Sequence, residues 1–375
     1  MSKDIAENLI WHGRYFENDG IKWLGYSASG FSFLLKGIKN GTKATATFVS
    51  DSSKWPEDSR AVLGVFINEV TELSQENLFR LSSLSEEPAF EITLKDDVNE
   101  VVLFDSAQEK TVCIHVLKLT EQAYALSGLK ELKVDGEVLS RGEKNQAEPL
   151  RLEFLGDSIT CGYGIEGVWE KDEFTTQHER ADKAYAFLTA KALDKLRPVD
   201  FQLCSWSGTG VASHYIDVQA TDLPDVDWLL PAFWPYTNKD LSLRLGLEPQ
   251  VWDETLFSPD IVVLNIGTND ISWVQGKPDR ELIFTGQYHQ LLEAVHRRSP
   301  KAKIICTIGA MGDALNTQVQ NAVDQFHKNF PSVVIKTHFF PVQKEEDGIA
   351  THWHPSALTH QKMAQSLTKV INELI

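Results

Sequence analysis

The sequence has 375 residues, enough for two domains that each bury a sizeable core. With 42% hydrophobic and 24% charged residues, its composition excludes disorder, collagen-like repeats and coiled coil as the main architecture. The net charge of −17 would repel phosphate backbones and anionic lipid surfaces, so we expect no nucleic-acid partner. A neutral molecule or an uncharged polymer would not be repelled by this field.

The N-terminus and the cysteines carry information about the compartment. Residues 1–14 are interrupted by charges and lack the apolar segment of a secretory signal, and no stretch of about 18 apolar residues predicts a membrane span. If Met1 is the native start, we expect a cytoplasmic protein; if a leader was removed, we expect an extracellular one. The cysteines form no Cys-x-x-Cys pair and are expected to be free thiols: Cys113, Cys161, Cys204 and Cys306.

The first half of the chain is rich in short runs of β-branched and aromatic residues, separated by turn residues about every 8 to 12 positions. Small and polar residues alternate along 42–49, which is typical of a strand with one face in water. Residues 1–140 are therefore predicted to form an all-β jelly-roll sandwich. The predicted strands are 30–35, 42–49, 61–70, 89–94, 99–104 and 111–119.

The pattern changes around residue 140. Residues 140–149 are polar and have no apolar period, which indicates an exposed linker. Beyond it, apolar runs alternate with amphipathic stretches, so residues 150–375 are predicted to form an α/β/α doubly wound parallel sheet. The predicted strands are 150–155, 200–204, 261–266, 303–308 and 333–337, and the predicted helices are 181–196, 281–298, 314–329 and 355–375. Residues 221–258 lack a clear period and are expected to form a structured excursion over the active face.

Candidate functional residues follow four of the five predicted parallel strands. Ser158 follows the first strand on a turn, where a nucleophile would be supported by backbone N–H groups; a helix-capping serine is the alternative. Gly208 follows the second strand, and its N–H can approach a ligand because no Cβ intervenes. Asn269 follows the third strand with a carboxamide donor, and His354 follows the fifth. Since the carboxyl ends of parallel strands share one edge, these residues are expected to meet.

These residues resemble the four sequence blocks of the SGNH (GDSL-type) hydrolase superfamily. The matching segments are Gly156-Asp157-Ser158, Ser207-Gly208, Gly267-Thr268-Asn269-Asp270 and His354-Pro355. The preceding β-sandwich and the segments around these blocks further resemble carbohydrate esterase family 2, over nearly the whole chain. Those segments are Gly156 to Gly164, Pro259-Asp260-Ile261-Val262 and Trp353-His354-Pro355 followed by His360 to Ala364. The resemblance implies the SGNH hydrolase fold.

The resemblance also implies acyl transfer without a metal or other cofactor. Ser158 would attack an ester carbonyl while His354 takes its proton. The N–H groups of Ser158 and Gly208 and the side chain of Asn269 would form the oxyanion hole. The implied activity is a carbohydrate O-acetyl esterase acting on acetylated sugars or oligosaccharides of the xylan or mannan type.

One position departs from the superfamily pattern. The superfamily usually has an aspartate three residues before the histidine, and this chain has Thr351 there; the nearest upstream acid is Asp347. Some members of family 2 instead orient the histidine with a backbone carbonyl. We therefore predict a Ser–His dyad in which a backbone oxygen near Trp353 or His352 orients His354.

Tryptophans lie close to the blocks. Trp206, Trp273 and Trp353 are each within four residues of a proposed catalytic residue, and aromatic faces suit sugar rings, so we predict that they bind substrate. The alternative for each is packing in the core. The pair His352 and His354 could also bind a metal, but no carboxylate or cysteine cluster joins it, so no metal site is predicted.

Two other functions remain open at this point. One is a different GDSL-type esterase or lipase, and the other is a catalytically weak carbohydrate-binding protein, which the missing aspartate would favour. The oligomeric state, the role of the first domain and the choice between water and a second sugar as acyl acceptor do not follow from the sequence.

Overall fold

The computed structural model describes residues 3–70, 78–140, 148–216 and 226–375. After a short helix, α1 (Lys3–Asn8), the described residues up to 140 form strands and short 3-10 turns. These strands are β1 (Ile10–His12), β2 (Tyr15–Asn18), β3 (Ile21–Leu24), β4 (Gly30–Lys36), β5 (Thr42–Val49), β6 (Val62–Glu69), β7 (Phe90–Thr93), β8 (Val98–Ser106), β9 (Thr111–Lys118), β10 (Gly128–Asp135) and β11 (Glu137–Leu139).

The strands of the first part build two antiparallel sheets that face each other. One has the order β1-β4-β9-β6-β7 with β11 paired to β4, and the other has the order β2-β3-β10-β5-β8. The alternating burial along β5 matches its predicted wet face. The inward residues form one apolar core that includes Phe31, Phe33 and Phe48. The predicted β-sandwich is confirmed.

All six predicted strands of this part are present, with ends within two residues of the prediction. Sequence reasoning missed β1, β2, β3, β10 and β11. Four of these have only three or four residues, too few for an alternation to be recognised, and β10 mixes charged residues with a glycine.

The rest of the chain alternates strands and helices around a parallel sheet. The elements are β12 (Leu150–Gly156), α2 (Ser158–Cys161), α3 (Tyr185–Asp194), β13 (Val199–Ser205), α4 (Leu230–Phe233), α5 (Lys239–Arg244), β14 (Ile261–Asn265), α6 (Asp270–Val274), α7 (Pro278–Arg298), β15 (Lys303–Thr307), α8 (Asn316–Asn329), β16 (Ile335–Thr337) and α9 (Ala357–Asn372). The strand order is β13-β12-β14-β15-β16, with every pairing parallel. The predicted doubly wound α/β/α sheet is confirmed; among the α-helices of the described residues, the short α2, α4, α5 and α6 were not predicted.

Helices cover both faces of this sheet. Helices α7 and α8 pack together on one face, and α3 and α9 pack together on the other. Strand β14 is fully buried for this reason, as expected of a parallel strand between two helical layers. The core beneath α3 and α9 also takes in Phe66 and Leu117 from the β-sandwich, so the two parts of the chain share apolar packing.

Strand β11 ends at Leu139 and β12 begins at Leu150, and we propose that the two units divide in this interval. Most of the predicted linker, 141–147, lies outside the described residues. A buried ion pair joins the units: Nη2 of Arg14 lies 2.8 Å from Oε1 of Glu153. Nη1 of Arg14 also donates to the carbonyl oxygens of Trp234 and Tyr236, each at 2.6 Å.

The predicted excursion over the active face is described from residue 226 onward, and 221–225 lie outside the described residues. Its first part packs on the turn after β13. The carbonyl oxygen of Trp228 accepts a hydrogen bond from Oγ1 of Thr209 at 2.8 Å, and the N–H of Leu230 donates to Gly210 at 3.1 Å.

The four cysteines are buried and unpaired. Across the described ranges, no helix is both long and apolar enough to cross a bilayer.

Candidate active site

Ser158 lies on a tight turn between β12 and α2. The carboxylate of Asp157 accepts the N–H of Ile159 at 3.0 Å and so caps the short helix, as expected for a polar residue in such a turn. A Cβ on Gly156 would lie 2.1 Å from Oγ1 of Thr160, so only glycine lets the chain turn this closely. The turn places the Ser158 side chain, 5% exposed, at the carboxyl edge of the sheet.

His354 contacts Ser158 directly. Nε2 of His354 lies 2.8 Å from Oγ of Ser158. Nδ1 lies 3.1 Å from the carbonyl oxygen of His352 and 3.2 Å from that of Thr351. Because a carbonyl can only accept, Nδ1 carries the proton and Nε2 is free to take one from the serine. A backbone oxygen of His352 thus lies where the sequence predicted an acceptor, and that of Thr351 lies beside it.

The backbone before His354 is unusual. Both His352 and Trp353 have positive φ, at 52° and 64°, which is uncommon for residues with a side chain. This left-handed turn brings the carbonyl of His352 back toward the imidazole ring of His354. Burial lowers the pKa of His354 to about 4, against the opposing effect of the two backbone hydrogen bonds, so the imidazole is neutral near pH 7.

Asp347 has other partners. Its Oδ1 lies 2.5 Å from Nζ of Lys362, and its carbonyl oxygen accepts the hydroxyl of Ser356 at 2.6 Å. The ring nitrogens of His354 are both engaged elsewhere. The geometry therefore pairs Ser158 with His354 and gives Nδ1 backbone acceptors instead of Asp347, and the catalytic Ser–His dyad stays a prediction.

The three predicted oxyanion-hole groups lie at the carboxyl edges of neighbouring strands. In the described residues, the N–H groups of Ser158 and Gly208 donate to no other group of the protein. Nδ2 of Asn269 donates to the carbonyl oxygen of Thr209 at 2.7 Å, which ties its carboxamide to the turn of Gly208 and leaves its second N–H. Gly208 has φ of 81°, and a Cβ there would lie 3.1 Å from the ring of Trp228.

Asp270 supports the turn that carries Gly208. Its buried carboxylate accepts the N–H groups of Ala212 at 2.7 Å, Ser213 at 2.8 Å and Val211 at 3.0 Å. Burial raises the pKa of Asp270 to about 7 although these three N–H groups favour its ionised form. The residue next to Asn269 thus has the backbone-holding role expected of a buried turn aspartate.

The three predicted tryptophans differ in their surroundings. Trp206 packs against Phe233 and the apolar core, and Trp273 packs on the same core beneath the guanidinium of Arg280. Core packing accounts for both without a ligand, so substrate contact there stays a prediction. Trp353 is 40% exposed and meets Trp169 edge to face at 5.6 Å, so its ring can be reached by a ligand.

An aromatic stack beside the dyad was missed. Tyr163 packs against the His354 ring with centroids 4.5 Å apart, and Phe174 stacks on Tyr163 at 3.9 Å. The sequence could have pointed to Tyr163, because this residue lies inside the Gly156 to Gly164 block. The hydroxyl of Tyr163 contacts Nδ1 of His352 at 3.0 Å. Since both ring nitrogens of His354 are already hydrogen-bonded, the alternative that His352 and His354 together bind a metal is not supported.

Residues 154–362, more than half of the chain, match the model of the GDSL-like Lipase/Acylhydrolase family. The chain belongs to this family. Two curated relatives of this GDSL protein have esterase names. The cellulase/esterase CelE of Acetivibrio thermocellus is 32% identical over 228 residues, 59% of this chain and 25% of that protein. An acetylxylan esterase / glucomannan deacetylase of Cellvibrio japonicus is 31% identical over 226 residues, 59% of this chain and 56% of that protein.

The GDSL protein therefore spans between a quarter and just over half of the length of these two relatives. A solved structure matches it along nearly its whole length. A family two carbohydrate esterase from Clostridium thermocellum, in complex with cellohexaose, has 26% identity and a TM-score of 0.77 and covers 98% of this chain and 99% of that one. The resemblance to carbohydrate esterase family 2 is thus supported by this solved structure, which bears that family's name, and by two relatives with esterase names.

Proposed function

We propose that this protein is a carbohydrate O-acetyl esterase that removes acetyl groups from sugars or oligosaccharides of the xylan or mannan type. The observation that carries the proposal is the 2.8 Å contact between Oγ of Ser158 and Nε2 of His354, with Nδ1 held by a backbone carbonyl. This arrangement activates a serine for attack on an ester. The names of the relatives support an acetylated carbohydrate as substrate.

In the proposed reaction, Oγ of Ser158 attacks the acetyl carbonyl carbon while Nε2 of His354 takes the hydroxyl proton. The carbonyl oxygen becomes an oxyanion that faces the N–H groups of Ser158 and Gly208 and the carboxamide of Asn269. The bond from the acyl carbon to the sugar oxygen then breaks, and His354 returns the proton to that oxygen. Water repeats the attack on the acetyl-serine, and acetate leaves as Ser158 regains its proton.

The substrate-binding part of the proposal rests on the exposed aromatic rings. Trp353 lies next to His354 and in contact with Trp169, so an apolar sugar face could stack there while the acetyl group reaches Ser158. Trp206 and Trp273 remain secondary candidates for this role. The charge of −17 does not oppose a neutral glycan.

The test is acetate release from acetylated oligosaccharides and from 4-nitrophenyl acetate. We expect Ser158→Ala and His354→Ala each to lower kcat by at least about 10³-fold, because nucleophile and base act as a unit. Longer 4-nitrophenyl esters serve as the comparison substrates. Faster hydrolysis of a long acyl chain would indicate a lipase-type esterase, and release that is no faster than in the two variants would indicate a binding protein.

A further inference from the structure

A loop of the β-sandwich reaches beneath the turn that carries Gly208. It follows β9 and includes the buried residues Glu121 and Gln122. Oε2 of Glu121 accepts the N–H of Ser207 at 2.7 Å, and Nε2 of Gln122 donates to the carbonyl oxygen of Ser205 at 2.9 Å. Two consecutive residues of the sandwich therefore hold two backbone groups of a turn more than 80 positions further along the chain.

Among the hydrogen bonds donated by the backbone N–H groups of residues 206–209, the one from Ser207 to Glu121 is the shortest, while the carbonyl oxygens of Gly208 and Thr209 accept bonds of 2.7 Å from Tyr215 and Asn269. The N–H of Thr209 reaches Trp206 at 3.3 Å, and the N–H of Trp206 reaches Gly156 at 3.3 Å. Gly208 adopts a positive φ, and a glycine backbone has little intrinsic preference between positive and negative φ. The orientation of its N–H depends on the backbone of Ser207, which Glu121 anchors.

Glu121 is one member of a buried ionisable cluster. Its N–H donates to Oε1 of Glu179 at 3.1 Å, and Sγ of Cys161 lies 3.6 Å from its Oε2. Burial raises the pKa of both carboxyl groups, that of Glu179 well above its ordinary value, while the charge of the buried Lys118 opposes both shifts. The hydrogen bonds from Ser207 favour the ionised form of Glu121, and a charge on Glu121 in turn raises the pKa of Glu179.

We propose that Glu121 is a positioning residue that holds the Ser207-Gly208 turn, and with it the Gly208 N–H, where the oxyanion forms. The inference rests on the proposed acyl-transfer function. It gives the β-sandwich a part in catalysis through one side chain.

The decisive variant is Glu121→Met, which removes the acceptor and the buried charge but keeps a similar volume. Complete loss of an oxyanion donor costs about 10² to 10³ in kcat, and here the donor would be displaced rather than lost. We therefore expect kcat to fall about 10- to 100-fold with KM changed less than about threefold. Glu121→Gln keeps an oxygen that can accept from Ser207 and should retain kcat within about threefold of wild type.

Glu179→Gln is the matched control, because Glu179 is in the same cluster but has no contact with Ser207. We expect its kcat to stay within about threefold of wild type, since the glutamine oxygen can still accept the N–H of Glu121. Thermal unfolding of each variant reports on folding. Equal losses in Glu121→Met and Glu179→Gln would mean that cluster packing alone is responsible, and a wild-type kcat in Glu121→Met would overturn the proposal directly.

A second readout separates this inference from the substrate assignment. The rate at which a fluorophosphonate labels Ser158 depends on the nucleophile and the oxyanion hole but requires no acetylated sugar. Glu121→Met should slow labelling by a factor similar to its loss in kcat. If wild type is labelled on Ser158 but releases no acetate, the esterase proposal fails, and the labelling rates of the variants still decide the role of Glu121.

The ligand atoms of Glu121, Cys161 and Glu179 lie within 4.8 Å of one another, which is close enough for a shared metal ion. Treatment of wild type with a chelator tests whether a metal ion is bound there. We expect kcat and the labelling rate to be the same with and without the chelator. A loss that a divalent cation restores would assign Glu121 to a metal centre and overturn its role as a direct anchor of the turn.

Discussion

At the scale of single residues, the properties of the site come from the surroundings of His354. Its ring packs against Tyr163, and both of its nitrogens have partners: Oγ of Ser158 on one side and backbone carbonyls on the other. A backbone carbonyl fixes the tautomer as a carboxylate would, but it adds no negative charge to stabilise the imidazolium. The base is therefore well oriented and weakly basic.

The first prediction concerns the protonation of His354. Because burial lowers its folded pKa to about 4, the neutral imidazole should persist from neutral pH down to about pH 5 and be lost as the pH falls through about 4. NMR titration of histidine-labelled protein, with His354→Gln to assign the resonance, measures this directly. A midpoint between about 6 and 7 would contradict the prediction, because that is the range of an unperturbed histidine.

The second prediction concerns Asp347, the acid nearest to His354 in the upstream sequence. Asp347→Ala should keep kcat/KM within about threefold of wild type, because its carboxylate pairs with Lys362 and not with the imidazole. Lys362 is more than half exposed, so losing this ion pair should cost about 1 kcal/mol or less in stability. A fall in activity comparable to that of Ser158→Ala would refute the dyad.

At the scale of elements, loops at the carboxyl edge of the parallel sheet carry the proposed chemistry, and buried acids hold those loops. Asp157 caps α2, Asp270 binds the N–H groups of 211–213, and Glu121 binds Ser207. An irregular loop cannot satisfy its own buried N–H groups as a helix or a sheet does, so side-chain acceptors are needed. These acids thereby fix the backbone of the loops that carry the proposed oxyanion-hole groups.

The third prediction concerns Asp270. Asp270→Ala leaves the buried N–H groups of Val211, Ala212 and Ser213 without their acceptor, and each such group costs about 1 to 3 kcal/mol. We expect the free energy of unfolding to fall by about 3 kcal/mol or more, measured by chemical denaturation, with a parallel fall in kcat. Asp270→Asn keeps one acceptor oxygen and should lose less. An alanine variant as stable as wild type would show that the loop does not need this carboxylate.

At the scale of the whole molecule, buried polar contacts and a shared apolar core join the two proposed units. Arg14 of the first unit reaches Glu153 on β12, and Gln202 on β13 donates to the same carboxylate oxygen. The core beneath α3 and α9 includes Phe66 and Leu117 of the sandwich. We therefore expect the units to unfold together.

The fourth prediction tests the Arg14–Glu153 ion pair between the two units. Arg14→Ala should lower the free energy of unfolding by about 3 to 5 kcal/mol, because it leaves Glu153 buried and uncompensated. The double variant Arg14→Met with Glu153→Leu removes both charges and should recover most of the loss. Guanidinium chloride titration followed by tryptophan fluorescence should show one transition. Two separated transitions in wild type would contradict the coupling, and a loss under about 1 kcal/mol in Arg14→Ala would contradict the role of the ion pair.

The amino-acid sequence by itself determined the two kinds of architecture and the positions of Ser158, Gly208, Asn269 and His354. Strand alternation, helical period and turn glycines are local signals, and parallel strands bring their carboxyl ends to one edge whatever the rest of the chain does. Together with the resemblance of the four sequence blocks to the GDSL-type hydrolases, these signals predicted one candidate site before any contact was known.

Only the tertiary structure decided which group orients His354, which tryptophan remains exposed, and that Glu121 anchors Ser207. Each of these depends on a contact that no local pattern encodes. The carbonyl of His352 faces the imidazole because two residues adopt positive φ, and Glu121 meets Ser207 because the loop after β9 packs on the turn after β13, 86 positions further along the sequence. An isolated glutamate after a strand looks like any surface acid until the fold buries it, and burial is what makes its hydrogen bond matter.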